Sequence, residues 1–125
     1  MNVKIDTREK FHVITITEPQ IAANMTEELT ALFNKCIQNP VKNIILNLQE
    51  VTVLEIPAAE AILAAQQNAY ENNQSFVVCQ VQPAVEEALD KAELLELMNT
   101  TPTESEAWDI VQMEEIEREL LDDEQ

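Results

Sequence analysis

The sequence predicts an α/β domain: a mixed sheet of four to five strands with helices packed on it. Three observations carry this. An opening pair of segments alternates apolar and polar residues with a period of two. After that pair, short β-branched runs alternate with longer stretches of helical spacing. No linker or low-complexity stretch interrupts the 125 residues, so the chain reads as one folding unit.

The elements follow in order. Val3 to Asp6 alternates weakly and suits a short edge strand. Phe11 to Thr17 alternates cleanly, with Phe11, Val13 and Thr15 on one side and His12, Ile14 and Ile16 on the other. Thr7 to Lys10 connects them as a hairpin. His12 is then one strand side chain, with a structural role. Asn24, three residues before Glu27, suits the N-cap of a first helix. Leu29, Leu32, Phe33, Cys36 and Ile37 form its apolar side, and Asn39-Pro40 stops it. Asn43 to Leu48 is a strand too continuously apolar to be wet on one face.

Val51 to Ile56 leads into a second helix, with Pro57 in its first turn. Six alanines between Ala58 and Ala69 let that helix lie close to the sheet. Asn72-Asn73 ends it, because asparagine tolerates the left-handed conformation that glycine would otherwise supply. Ser75 to Val81 is another buried strand. Pro83 opens a third helix to about Lys91, and Leu94 to Met98 is expected to hold a last short strand. Thr103 with Glu106 caps a final helix, whose apolar side is expected to be Ala107, Ile110, Val111, Met113, Ile116 and Leu120, with Trp108 at its edge. Strands alternating with helices after a hairpin require right-handed crossovers.

Composition excludes several functions. The chain has no glycine, so the P-loop, the dinucleotide fingerprint and the nucleophile elbow are missing. A single histidine rules out a multi-histidine metal site. Seven Lys+Arg against 24 Asp+Glu give a net charge of −17, which repels nucleic-acid backbones and anionic membrane surfaces. No apolar run is long enough to span a bilayer, and Met1 to Asp6 lacks a signal peptide's apolar stretch. We expect a cytoplasmic protein, no metal and no cofactor. Cys36 and Cys79 suit buried free thiols in a reducing compartment. Ten of the 24 acids fall in the last 22 residues. They suit a solvated helix face and tail, or more sharply an acidic docking surface for a basic partner.

The phrases Ile44-Ile45-Leu46-Asn47-Leu48-Gln49-Glu50-Val51-Thr52, Phe76 to Val85 and Thr103-Glu104-Ser105-Glu106-Ala107, in this order, resemble the STAS domain. That family includes bacterial anti-sigma-factor antagonists and the cytoplasmic domains of sulfate transporters. The resemblance implies a STAS-like fold over residues 1–112, with residues 113–125 as an acidic helical extension. Asn47 stands where the family commonly has Asp.

The family's motif, Asp-Ser-Ser-Gly at the start of helix two, carries a serine phosphorylated by a partner kinase that is also the anti-sigma factor. Position by position, Glu55 takes the Asp place, Ile56 the first Ser, Pro57 the phosphorylated Ser and Ala58 the Gly. Pro57 cannot accept phosphate. The resemblance therefore implies a partner-binding surface at Glu55, Ile56, Pro57, Ala58 and Ala59 without its usual switch. Thr52 is the nearest hydroxyl and reads as a turn residue before it reads as a phosphosite. By itself, Pro57 is also simply good helix-start chemistry.

These implications give one leading expectation, a non-catalytic module binding an anti-sigma factor or related regulatory kinase. The alternative is a cytoplasmic accessory subunit of a membrane ABC transporter. Homodimerisation stays open. An enzyme would have to use Glu55 and Glu60, with no nucleophile, metal site or phosphate loop beside them.

Overall fold

The computed structural model describes residues 1–123. It contains β1 (Val3–Thr7), β2 (Phe11–Ile16), β3 (Gln20–Ile21), α1 (Thr26–Ile37), β4 (Asn43–Asn47), β5 (Val53–Leu54), α2 (Ile56–Glu71), β6 (Phe76–Cys79), α3 (Pro83–Lys91), β7 (Thr100–Thr101) and α4 (Glu104–Asp123). Five strands form one mixed sheet in the order β1-β2-β4-β6-β7, and β3 and β5 form a separate two-stranded pair. The β1–β2 hairpin is antiparallel, and β2, β4, β6 and β7 run parallel.

The alternation in the strands divides the core into two layers. Ile14, Ile16, Ile44, Leu46, Phe76 and Val78 face α1, α2 and α3. Phe11, Val13, Ile45, Val77 and Cys79 face α4 through Ala107 and Val111. Both faces of β4 and β6 are therefore buried, which is why these strands read as continuous apolar runs. Phe33 and Phe76 pack edge to face across the first layer at 5.2 Å, and Phe11 and Trp108 across the second at 5.1 Å. Trp108 sits at the edge of its layer, as its position beside the stripe predicts. Both cysteines are free and buried.

His12 is structural. Its Nε2 lies 2.7 Å from the Val41 carbonyl, which can only accept, so the ring proton sits there and Nδ1 faces the Thr7 hydroxyl at 2.9 Å. At the end of α2, Asn73 adopts φ 59°, the left-handed turn expected of the asparagine pair. Gln80 and Glu93 take the same conformation, at φ 54° and 61°. In a chain without glycine, these turns fall to residues that carry a Cβ.

Three expectations are corrected. Asn24 does not cap α1: it lies inside a 3-10 turn, Ala23–Met25, and α1 begins at Thr26. Leu94 to Met98 is not a strand. Glu93 turns left-handed, Leu95–Leu97 forms a second 3-10 turn, and the last strand comes only at Thr100–Thr101 beside Val78 and Cys79. Met113, Ile116 and Leu120 do not pack on the sheet, being 57%, 56% and 58% exposed.

Candidate functional site

The loop before α2 is built by backbone pairing. The amides of Thr52 and Val53 both donate to the Pro19 carbonyl, and that of Glu55 donates to Ile21. The short β3–β5 pair thus fixes the approach to α2 against the segment leaving β2. The Thr52 hydroxyl also donates to Pro19, at 3.1 Å, in keeping with its reading as a turn residue.

The five residues singled out from the sequence separate into two groups here. Glu55, Ile56 and Pro57 lie on the surface, whereas Ala58 and Ala59 are fully buried beneath them. The alanines let the helix start seat directly on the core, and they offer no contact area themselves. Glu55 is the N-cap residue of α2 by backbone conformation, without a side-chain cap of its own. Its carboxylate instead accepts from the Ala23 amide at 2.7 Å. It thereby satisfies a free N–H at the 3-10 turn before α1. Pro57 occupies the first turn, where a missing N–H costs nothing.

Sequence reasoning missed Val53, which is 47% exposed and adjoins Ile56 and Pro57 in sequence. The signal was available, since Val53 and Leu54 alternate outward and inward. These residues are mostly apolar, and the charged residues nearest them in sequence, Glu50, Glu55 and Glu60, are all acidic. Among the described residues no group of His, Cys, Asp and Glu could hold a metal ion, and no helix is long and apolar enough to cross a membrane.

Two polar clusters hold α4 to the other side of the sheet. At its start, the Asn47 side-chain amide donates to Gln80 Oε1 at 2.7 Å and Glu104 Oε1 at 3.0 Å, while its oxygen accepts from the Gln49 amide at 2.9 Å. An aspartate could make only the last of these bonds. Farther along α4, Glu114 accepts from Tyr70 and Ser75, Glu115 from Asn43, and Arg118 reaches Ser75 and Glu115. Burial and the Glu114 carboxylate push the Tyr70 phenol up to about 12. Burial pushes the Glu115 carboxyl up, but hydrogen bonds from Asn43 and Arg118 outweigh it and hold the group below the usual range.

The STAS domain family model matches residues 2–107. The chain belongs to the STAS domain family. Solved structures share the arrangement at low identity. The Thermotoga maritima protein TM1081 superimposes with a TM-score of 0.76 at 16% identity, over 88% of this chain and 94% of that one. An anti-sigma factor antagonist from Mycobacterium paratuberculosis gives 0.74 at 16%, over 89% and 93%. The murine anion transporter Slc26a9 gives 0.68 at 12%, over 82% of this chain but 18% of the transporter. These likenesses show the STAS fold, a mixed five-stranded sheet between helices. The STAS boundary at residue 107 falls inside α4, which continues without a break to Asp123.

Proposed function

We propose that this STAS protein is a non-catalytic interaction module of the antagonist type. It binds an anti-sigma factor or related regulatory kinase in the cytoplasm through the start of α2, with Glu55, Ile56 and Pro57 at the contact and Ala58 and Ala59 supporting them. One observation carries the reading. Ile56, Pro57 and Val53 are all exposed apolar residues, on a backbone pinned by Pro19 and Ile21. A rigid, preformed segment loses little conformational freedom on binding.

The position aligned with the family's phosphorylated serine is a proline. A phosphate there would add about −1.5 to −2 charge to the contact surface. Pro57 has no hydroxyl, so the surface is constitutively competent and its occupancy is set by partner availability.

Affinity capture from native lysate tests this, with Ile56→Asp as the surface variant. The expected result is a kinase of the anti-sigma type, lost with Ile56→Asp while the fold is kept, and no mass increase of about 80 Da on the captured chain. Capture of a transporter ATPase subunit instead supports the accessory-subunit reading. Capture indifferent to Ile56→Asp refutes the site.

A further inference from the structure

From residue 113 onward α4 is amphipathic in the inverted sense. The side chains turned toward the sheet are polar: Glu114, Glu115 and Arg118, bonded to Tyr70, Ser75 and Asn43. Those turned to water include Met113, Ile116, Leu120 and Leu121, the last 60% exposed, beside exposed Gln112, Glu117 and Glu119. They are four of the eight large apolar side chains left exposed among the described residues. Single exposed apolar residues need no explanation, but a run of them along one helix does.

The polar bonds also fix the helix's rotation. Rolling α4 to bury the apolar run would break the bonds of Glu114, Glu115 and Arg118 together. The run spans about 12 Å of helix axis, from Met113 to Leu121, at 1.5 Å per residue. That matches the contact made by two or three turns of a partner helix.

Charge decides between occupants. Exposed Asp109 and Glu117 lie on the same side of the helix as Met113, Ile116 and Leu120. The single cation of α4, Arg118, is committed to Glu115 and Ser75 on the sheet side. A second copy laid on this face would bring like acids together, between chains that each carry −17. We propose that the outer face of α4 docks an amphipathic helix of a partner protein, apolar along one stripe and flanked by lysine or arginine. Apolar side chains then meet Met113, Ile116 and Leu120, and the cations meet Asp109 and Glu117. This surface is separate from the start of α2 and does not depend on the function proposed there.

The test uses the full chain and a synthetic helical peptide of about 15 residues, leucine on one stripe and lysine beside it. A scrambled peptide of identical charge is the control. Nuclear magnetic resonance titration should perturb residues 109–121, with binding weakened by added salt. The Ile116→Gln/Leu120→Gln variant should bind at least about tenfold more weakly, with unchanged circular dichroism because both positions are exposed. Several results overturn the proposal: no binding, equal binding of the scramble, perturbation centred on the start of α2, or self-association of the unmodified chain that the double variant abolishes.

Discussion

Asn47→Asp changes one atom type in the side chain, and the structure gives it a large, pH-dependent cost. The Asp oxygen keeps the bond from the Gln49 amide, but both bonds donated to Gln80 and Glu104 are lost. Gln80 recovers one by turning its own amide toward the new carboxylate. Glu104 cannot, and two carboxylates then face each other at about the present 3.0 Å. Fully ionised, such a pair repels by about 5 kcal/mol at an effective dielectric of about 20. Holding one proton on the pair costs less, at about 1.4 kcal/mol per pKa unit of upward shift. Held to pH 7, about three units above the free carboxyl's pKa, that proton makes the variant roughly 3–4 kcal/mol less stable. The shared proton's pKa in the fold lies above its unfolded value near 4. Its contribution is therefore intact below about pH 4 and is lost as pH rises through the shifted value. The deficit should shrink markedly at pH 4, where the shared proton donates across the pair in place of the lost amide bond. Urea unfolding at both pH values, followed by the single tryptophan, Trp108, reads it directly. Adding Glu104→Gln should restore a donor and recover most of the loss. A deficit that is the same at pH 4 and pH 7, or no coupling to Glu104→Gln, would refute the reasoning.

Three further outcomes follow from particular contacts. Tyr70 is the only tyrosine, so absorbance titration should show its phenol ionising near 12 and not near 10; because the folded value is raised, its stabilising contribution holds below pH 10 and is lost between 10 and 12. Glu93→Gly should raise stability by about 1 kcal/mol, since Glu93 is exposed at φ 61° and glycine takes that conformation without steric cost; an unchanged or lower denaturation midpoint counts against it. Ending the chain after Trp108 should cost several kcal/mol, from buried Val111 at roughly 1.5–2 and the bonds of Glu114, Glu115 and Arg118 at about 1 each. An unchanged melting temperature would make that half of α4 peripheral.

The main strands of the sheet were legible because β2 alternates with period two, and the continuous apolar runs of β4 and β6 announce burial on both faces. Asn73 was legible for a chemical reason, as the best left-handed residue in a chain without glycine. The 3-10 turn that precedes α1 at Ala23–Met25 was not. The Ala23 amide is satisfied by Glu55, more than thirty residues away, and local pattern carries no trace of that bond. α4 was misread for a reason the sequence does contain. At about 100° per residue, Ala107, Ile110 and Val111 cluster round one direction while Met113, Ile116 and Leu120 cluster roughly opposite. A list of apolar residues at helical spacing merged two stripes into one. Of the candidate site, the resemblance put all five residues on one partner-facing surface, whereas Ala58 and Ala59 are buried, as small side chains that let the helix lie close to the sheet already imply.

The direction of α4 settles how the two proposed surfaces relate. Glu104, at its start, bonds to Asn47 at the end of β4, and Glu115 bonds to Asn43 at the beginning of the same strand. The helix therefore runs antiparallel to β4, and residues 113–121 lie toward the edge where the parallel strands begin. The start of α2 lies past the opposite edge, after β4 and β5 have ended, and α2 packs on the other face of the sheet. A partner helix on α4 and a partner at Ile56 and Pro57 are thus separated by the sheet itself, so neither blocks the other by contact. Any coupling between them must pass through the sheet and its polar ties, with the Asn47–Glu104 bond at the end nearer α2 and the Asn43–Glu115 bond at the end nearer the outer face of α4. If binding at α4 alters binding at α2, Asn47→Asp should change that coupling while leaving each surface's own residues intact.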